Sequence, residues 1–210
     1  MTDTRRVVFT TPDKRVQLEG RLTEKGGRRG IVIAHPHPLY GGDMDNPVVV
    51  TLAETFSAAG WNSLRFNFRG VGGSSGRYDE GRGEIEDLLA ARKRLAESGS
   101  REIFLAGYSF GAWIIARAAA KNLTGEDRLL LVAPPVALLE FPPTLRLPHL
   151  VRVITGENDD IAPPRLLERA VAEWNPAISL TVIPGCDHFY SGRLQTLARV
   201  LNPDGSDRID

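Results

Sequence analysis

The chain has a single cysteine, Cys186, so no disulfide can form within it, and a reducing compartment suits it. No apolar run approaches the length of a membrane-spanning helix, and the opening MTDTRRVVFTTPDKR has no apolar stretch of the kind a secretory signal needs. Charge of neither sign is in excess: 26 basic residues balance 26 acidic ones, which removes the electrostatic ground for a nucleic-acid or membrane-surface partner. Internal repeats and interdomain linkers are also missing. What remains is a chain of 210 residues, 42% apolar, long enough to bury a sizeable core. The expectation is one cytoplasmic, enzyme-sized domain over residues 1–210, with the polar tail at about 203–210 frayed.

Two stretches with strand character, RVVFTT and RVQLEGRL, flank the turn-forming Pro12-Asp13-Lys14 and predict an antiparallel hairpin. From Gly30 onward short apolar runs alternate with longer helical ones. The runs are IVIAH (31–35), SLRFNF (63–68), IFLAG (103–107), RLLLVA (128–133), LVRVIT (150–155) and LTVIP (180–184). Helices are predicted over about 46–59, 83–97, 110–121, 164–173 and 191–201. Strands rich in Val, Ile and Leu without strict alternation are buried on both faces, which calls for a parallel sheet between helices. The fold class is therefore α/β: a mostly parallel eight-stranded sheet, led by an antiparallel hairpin and covered by helices on both sides.

Chemistry is suggested first by LAGYSFGAW (105–113). Ser109 sits between a buried strand and a good helix former, at the carboxyl end of the sheet, where ligands bind in such folds. Gly107 and Gly111 allow the sharp turn that would present a nucleophile, and the helix start directs backbone N–H groups at the same spot. The stretch GGSSG (72–76) has the same Gly-x-Ser-x-Gly spelling, but no strand runs directly into it and no helix follows, so Ser74 reads as a loop residue.

A serine needs a base, and the base needs an orienting group. Of the four histidines, His149 opens a strand and so lies at the wrong end of the sheet, while His35 and His37 precede the serine. His188, in PGCDHFY just past the last strand, is the expected base. The acid should come from GENDDIAPP, where Glu157, Asp159 and Asp160 are available; Asp159 is favoured and Asp160 is next. Asp187 is too close to His188 in sequence to reach around its ring. The histidines of HPHP, two apart and without a matched Cys or carboxylate cluster, are weak grounds for a metal site.

The order Ser, Asp, His, with each member after its own strand, resembles the α/β-hydrolase superfamily over nearly the whole chain. The resemblance rests on GYSFG, on GENDDIAP as the Gly-x-x-Asp-x-x-x-Pro that selects Asp159, and on the late DHF. More narrowly, HPHPLYGGDMDNPVV and RFNFRGVGGSSG resemble small bacterial hydrolases without a cap domain. The resemblance implies a metal-independent serine hydrolase without cofactor, cleaving carboxylic esters or related acyl donors through an acyl-enzyme, with a small acyl molecule as its partner. Thioester cleavage and acyl transfer use the same triad, and a non-catalytic binding protein could share the fold. One oxyanion donor would be the N–H of Phe110. The other would come from the loop after the first parallel strand, where Pro36 and Pro38 lack N–H groups and leave His37, Leu39 or Tyr40. Alignment of that loop favours His37, then Leu39. Tyr40 and Phe141 are the candidates for lining a substrate pocket, although Phe141 and its neighbours Val136, Leu138 and Leu139 could equally just cover the sheet. Arg69 is expected to pair with Asp87 or Glu84 and brace the glycine-rich loop.

Overall fold

The computed structural model describes residues 4–201. The tail at 203–210 lies outside them. Eight strands form one sheet in the order β1-β2-β4-β3-β5-β6-β7-β8. The hairpin is β1 (Thr4–Thr10) with β2 (Gln17–Thr23), and β2 also runs antiparallel to β4 (Asn62–Phe66). The remaining strands, β3 (Arg29–Ala34), β5 (Glu102–Tyr108), β6 (Arg128–Val132), β7 (Leu150–Gly156) and β8 (Leu180–Ile183), join β4 in parallel. The central ones are buried on both faces: Ile31, Val32, Ile33 and Ala34 of β3 and Leu129 to Val132 of β6 are all solvent-excluded. That is the reason the strands show no alternation in sequence.

Helices α1 (Pro47–Ala58), α2 (Gly83–Glu97), α3 (Phe110–Ala120), α4 (Pro164–Trp174) and α5 (Leu194–Leu201) connect the strands. α1 starts where Asn46 Oδ1 accepts the Val48 N–H at 3.0 Å and Pro47 occupies the first helical position, where its missing donor costs nothing. α2 buries Ile85, Leu88, Ala91 and Leu95 at helical spacing and opens with Glu84 and Glu86, which suit the positive end of its dipole. One hydrophobic cluster runs from Val7 to Leu201. No helix among the described residues is long and apolar enough to cross a membrane.

Most boundaries fall within one or two residues of the sequence reading, and two of the differences have a visible cause. β4 ends at Phe66 rather than Phe68, because Asn67 leaves the parallel ladder: its Oδ1 accepts the Met44 N–H at 2.8 Å and its Nδ2 donates to Glu19 at 2.8 Å. α5 begins at Leu194 rather than 191, since Ser191 donates its N–H to Asp187 Oδ1 at 3.0 Å and keeps that segment in a turn. Arg69 meets Asp87 with a fork of hydrogen bonds of 2.8–3.1 Å and also reaches Glu86, whereas Glu84 accepts the Asp79 and Gly81 N–H groups instead. The glycine-rich loop between β4 and α2 is thus braced from the α2 side.

Candidate active site

Ser109 joins β5 to α3 with φ 53° and ψ −114°, a conformation that L residues avoid at a cost of about 1–3 kcal/mol. Neighbours on both sides enforce it. The Ser109 N–H donates to Val132 O at 2.9 Å and its carbonyl accepts the Trp113 N–H at 3.2 Å. A Cβ at Gly107 would run into the backbone of Gly111 and Ala112, and one at Gly111 into the backbone of Ala34. The two glycines therefore allow the helix to leave at the angle that lifts Ser109 over the sheet edge.

His188, in the loop after β8, is buried with Nε2 3.0 Å from Ser109 Oγ. Its Nδ1 lies 2.8 Å from Asp159 Oδ2 and 3.0 Å from Oδ1. A carboxylate only accepts, so Nδ1 carries the ring proton and Nε2 is the acceptor facing the serine hydroxyl. Asp159, in the loop between β7 and α4, is itself held by the Ile161 and Ala162 N–H groups, which both donate to Oδ1. Three residues separated by 79 and 29 positions are thus brought into one chain of hydrogen bonds. Asp160 is exposed, and Glu157 turns to accept the Gly185 N–H at 2.8 Å, so neither reaches His188. His149 is exposed at the amino end of β7, as expected from its place in sequence.

The HPHP loop is tied to itself. His35 is fully buried; its Nε2 accepts the Phe68 N–H at 3.0 Å while Nδ1 faces Pro36 O at 2.6 Å. Burial pushes the His35 pKa down to about 4, so it stays neutral and structural. Pro38–Tyr40 form a 3₁₀ turn that the sequence did not signal. The Leu39 N–H donates to His37 Nδ1 at 3.2 Å, and the Tyr40 N–H donates to His37 O at 3.1 Å. Of the three candidate donors His37, Leu39 and Tyr40, the His37 N–H is the one left without an acceptor among the described residues, and the Phe110 N–H is likewise without one. The His37 and Phe110 rings touch, with centroids 4.7 Å apart.

Tyr40 is 87% exposed and lies against the His37 ring at 4.8 Å, at the mouth of the site. Phe141 is placed elsewhere. It stacks on Trp174 at 5.0 Å and lines a groove of about 520 Å³ with Val136, Leu138, Leu139, Leu166 and Trp174. Ser109, His188, Asp159, His37 and Phe110 are not among that groove's lining residues. The ties of the connector run to several elements: the Leu147 N–H donates to Trp174 O at 2.8 Å, the Ala137 N–H to Ile161 O at 3.1 Å, and Trp113 Nε1 to Glu140 O at 2.8 Å.

Sequence reasoning missed three residues. Tyr108 donates its hydroxyl to His188 O at 2.8 Å, tying the serine turn to the base loop. Tyr78 reaches His37 Nε2 at 3.3 Å from the loop before α2, and Trp113 packs on Phe110 at 5.5 Å. Tyr108 was within view in GYSFG, but nothing in the sequence signalled the contacts of Tyr78. Cys186 is buried, and burial pushes its thiol up to about 11, so it is not poised as a thiolate. Among the described residues no group of three or more His, Cys, Asp or Glu is placed to hold a metal ion.

A family model for serine aminopeptidase, S33, matches residues 47–151. An uncharacterized protein of Rickettsia prowazekii (strain Madrid E) is 30% identical over 208 residues, covering 93% of this chain and 86% of the relative. Among solved structures, an α/β serine hydrolase homologue from Coxiella burnetii superposes with a TM-score of 0.83 at 37% identity, covering 96% of this chain and 97% of that one. A protein from Xanthomonas campestris, an α/β serine hydrolase without a lid, gives 0.81 at 29% identity, covering 96% and 93%.

Proposed function

The chain belongs to the α/β-hydrolase superfamily, and from this premise we propose that it is a serine hydrolase cleaving carboxylic esters through an acyl-enzyme. The observation that carries the reading is the continuous line Ser109 Oγ, His188 Nε2, His188 Nδ1, Asp159 Oδ2, with steps of 3.0 and 2.8 Å. In it Ser109 Oγ attacks the acyl carbonyl while His188 Nε2 takes the hydroxyl proton. Asp159 keeps the ring in the tautomer that leaves Nε2 free and stabilises the imidazolium as it forms. The Phe110 and His37 N–H groups receive the developing oxyanion; losing one such donor costs about 3–4 kcal/mol of transition-state stabilisation. His188 then returns the proton to the leaving alcohol, and water, deprotonated by the same ring, releases the acid.

Carboxylic esters are the substrate class assigned because their alcohols leave more readily than amines. The exposed Leu39, Tyr40 and Phe189 border an open site, which accommodates bulky groups on either side of the ester. Lid-free relatives such as the Xanthomonas campestris hydrolase support that openness. A small acyl molecule as partner and a cytoplasmic setting remain parts of the proposal.

The test is intact-mass labelling with a fluorophosphonate, followed by peptide mapping. A single adduct on LAGYSFGAW that disappears in Ser109→Ala is the expected outcome. An unlabelled wild type, or an adduct that persists on GGSSG, overturns the reading in favour of a binding protein on the same fold.

A further inference from the structure

His37 has a side chain whose contacts the proposed mechanism does not use, and they are unusually directed for a residue in a loop. Its imidazole is half-buried between three rings: Phe110 at 4.7 Å, Tyr40 at 4.8 Å and Tyr78 at 5.1 Å. Both ring nitrogens are engaged. Nδ1 accepts the Leu39 N–H at 3.2 Å, which makes His37 the side-chain cap of the 3₁₀ turn that follows it. With Nδ1 an acceptor, the ring proton sits on Nε2, which faces Tyr78 Oη at 3.3 Å. The carbonyl of His37 is fixed as well, accepting the Tyr40 and Gly42 N–H groups, both at 3.1 Å.

We propose that the His37 imidazole is a positioning group that clamps the oxyanion loop, with Tyr78 as its outer latch. The inference rests on the serine-hydrolase reading, in which the His37 N–H is an oxyanion donor. Pro36 and Pro38 flank that donor, so neither neighbouring peptide can replace it. Its direction depends on the peptide plane between Pro36 and His37, and that plane is held by what the rest of His37 touches. Leu39 bonded to Nδ1 closes the turn on one side. The ring resting on Phe110, whose own N–H is the second donor, fixes the distance between the two donor residues on the other. A preorganised pair of donors is what accelerates acyl transfer, since no reorganisation is then needed as the charge forms. In a loop whose two prolines offer no neighbouring donor, the side-chain clamp holds the one N–H between them.

The experiment compares steady-state ester hydrolysis and the rate of fluorophosphonate labelling in wild type, His37→Ala, His37→Asn and Tyr78→Phe. Alanine keeps the backbone N–H but removes the cap, so kcat falls roughly tenfold to a hundredfold while KM changes less than about twofold; this is short of the 10²–10³ that outright loss of a donor costs. Asparagine carries an acceptor that caps the same Leu39 N–H and recovers most of kcat. Tyr78→Phe keeps the packing, loses the latch and lowers kcat about threefold. Labelling stays confined to Ser109 and slows in parallel with kcat, because the phosphonyl oxygen occupies the same donors. An Ala variant with wild-type kcat, or an Asn variant no better than Ala, overturns the clamp. If Ala does not fold, wild-type kcat in Tyr78→Phe or a loss of more than a hundredfold in Asn overturns it. A wild type that neither labels nor hydrolyses overturns the underlying reading instead, so the two failures are distinguishable.

Discussion

GYSFG and GGSSG share a spelling, and their serines are almost equally buried, Ser109 at 8% exposed and Ser74 at 6%. They differ in what their hydroxyls are given to do. Ser74 Oγ donates to Asn67 O at 2.8 Å and accepts the Glu19 N–H at 3.0 Å, so both its donor and its acceptor capacity serve to staple the glycine-rich loop to β2. Glu19 completes that staple by accepting from Asn67, Gly73 and Arg6. Ser109 instead sits in a strained turn, and among the described residues its hydroxyl meets only the acceptor nitrogen of a histidine. A hydroxyl bonded to backbone is a structural tie; one bonded to an oriented imidazole has a route for its proton. The comparison teaches that the motif is in the surroundings, not in the five letters.

The largest effect that can break this comparison is at the far end of the hydrogen-bond line. Asp159→Asn should lower kcat by about 10⁴, since the amide favours the wrong histidine tautomer. Asp160→Asn, one residue on and exposed, should leave kcat within about twofold. Equal losses in the two would mean that the line from Ser109 is not what separates it from Ser74. The measurement is steady-state hydrolysis of a short acyl ester.

Next in size is the acid stability of the stapled side. His35 holds Phe68 at the root of the glycine-rich loop and has its pKa pushed down to about 4 by burial. The unfolded chain takes up that proton near 6.5 and the folded chain does not until about 4. Stability is therefore whole above about pH 6.5 and is lost as the pH falls towards 4, by roughly 3 kcal/mol in all. Urea unfolding at pH 7 and pH 4.5 measures it. His35→Asn, which cannot titrate, should be less stable at pH 7 and show a shallower dependence; an unchanged slope would remove His35 from the account.

The smallest expected effect falls on Ser74 itself. Ser74→Ala leaves the buried Glu19 N–H without its acceptor and should cost about 1–3 kcal/mol of stability. Fluorophosphonate labelling of Ser109 should be unaffected at temperatures where the variant is folded. A stable variant that no longer labels would make Ser74 part of the reacting site and dissolve the distinction.

Most of the framework was legible because burial leaves a mark on residue type. Runs such as IVIAH and RLLLVA are apolar throughout because both faces of β3 and β6 are covered, and helix α2 shows its buried face at Ile85, Leu88 and Leu95. The turn at Ser109 was legible from Gly107 and Gly111, whose lack of side chains answers to backbone that approaches too closely for a Cβ. Chain order then put GENDDIAPP and His188 after their own strands, since the parallel sheet makes order equivalent to position, while the choice of Asp159 over Glu157 and Asp160 came from the resemblance in its Gly-x-x-Asp-x-x-x-Pro spacing. Phe141 shows the limit: an apolar residue in a proline-rich connector could face either side, and its stacking on Trp174 left no mark in the sequence.

By itself the sequence determined which strands lie inside, where the chain turns sharply, and which three loops can meet at the carboxyl edge of the sheet. All of these are consequences of near-neighbour chemistry and of burial, which act residue by residue. Only the tertiary structure decided that Glu157 turns to Gly185 and Asp160 faces outward, that Tyr78 reaches His37 from outside the motif, and that Tyr108, within it, ties to the His188 carbonyl. Those outcomes depend on directional hydrogen bonds between residues distant in sequence, whose geometry exists only once the sheet has brought their loops together.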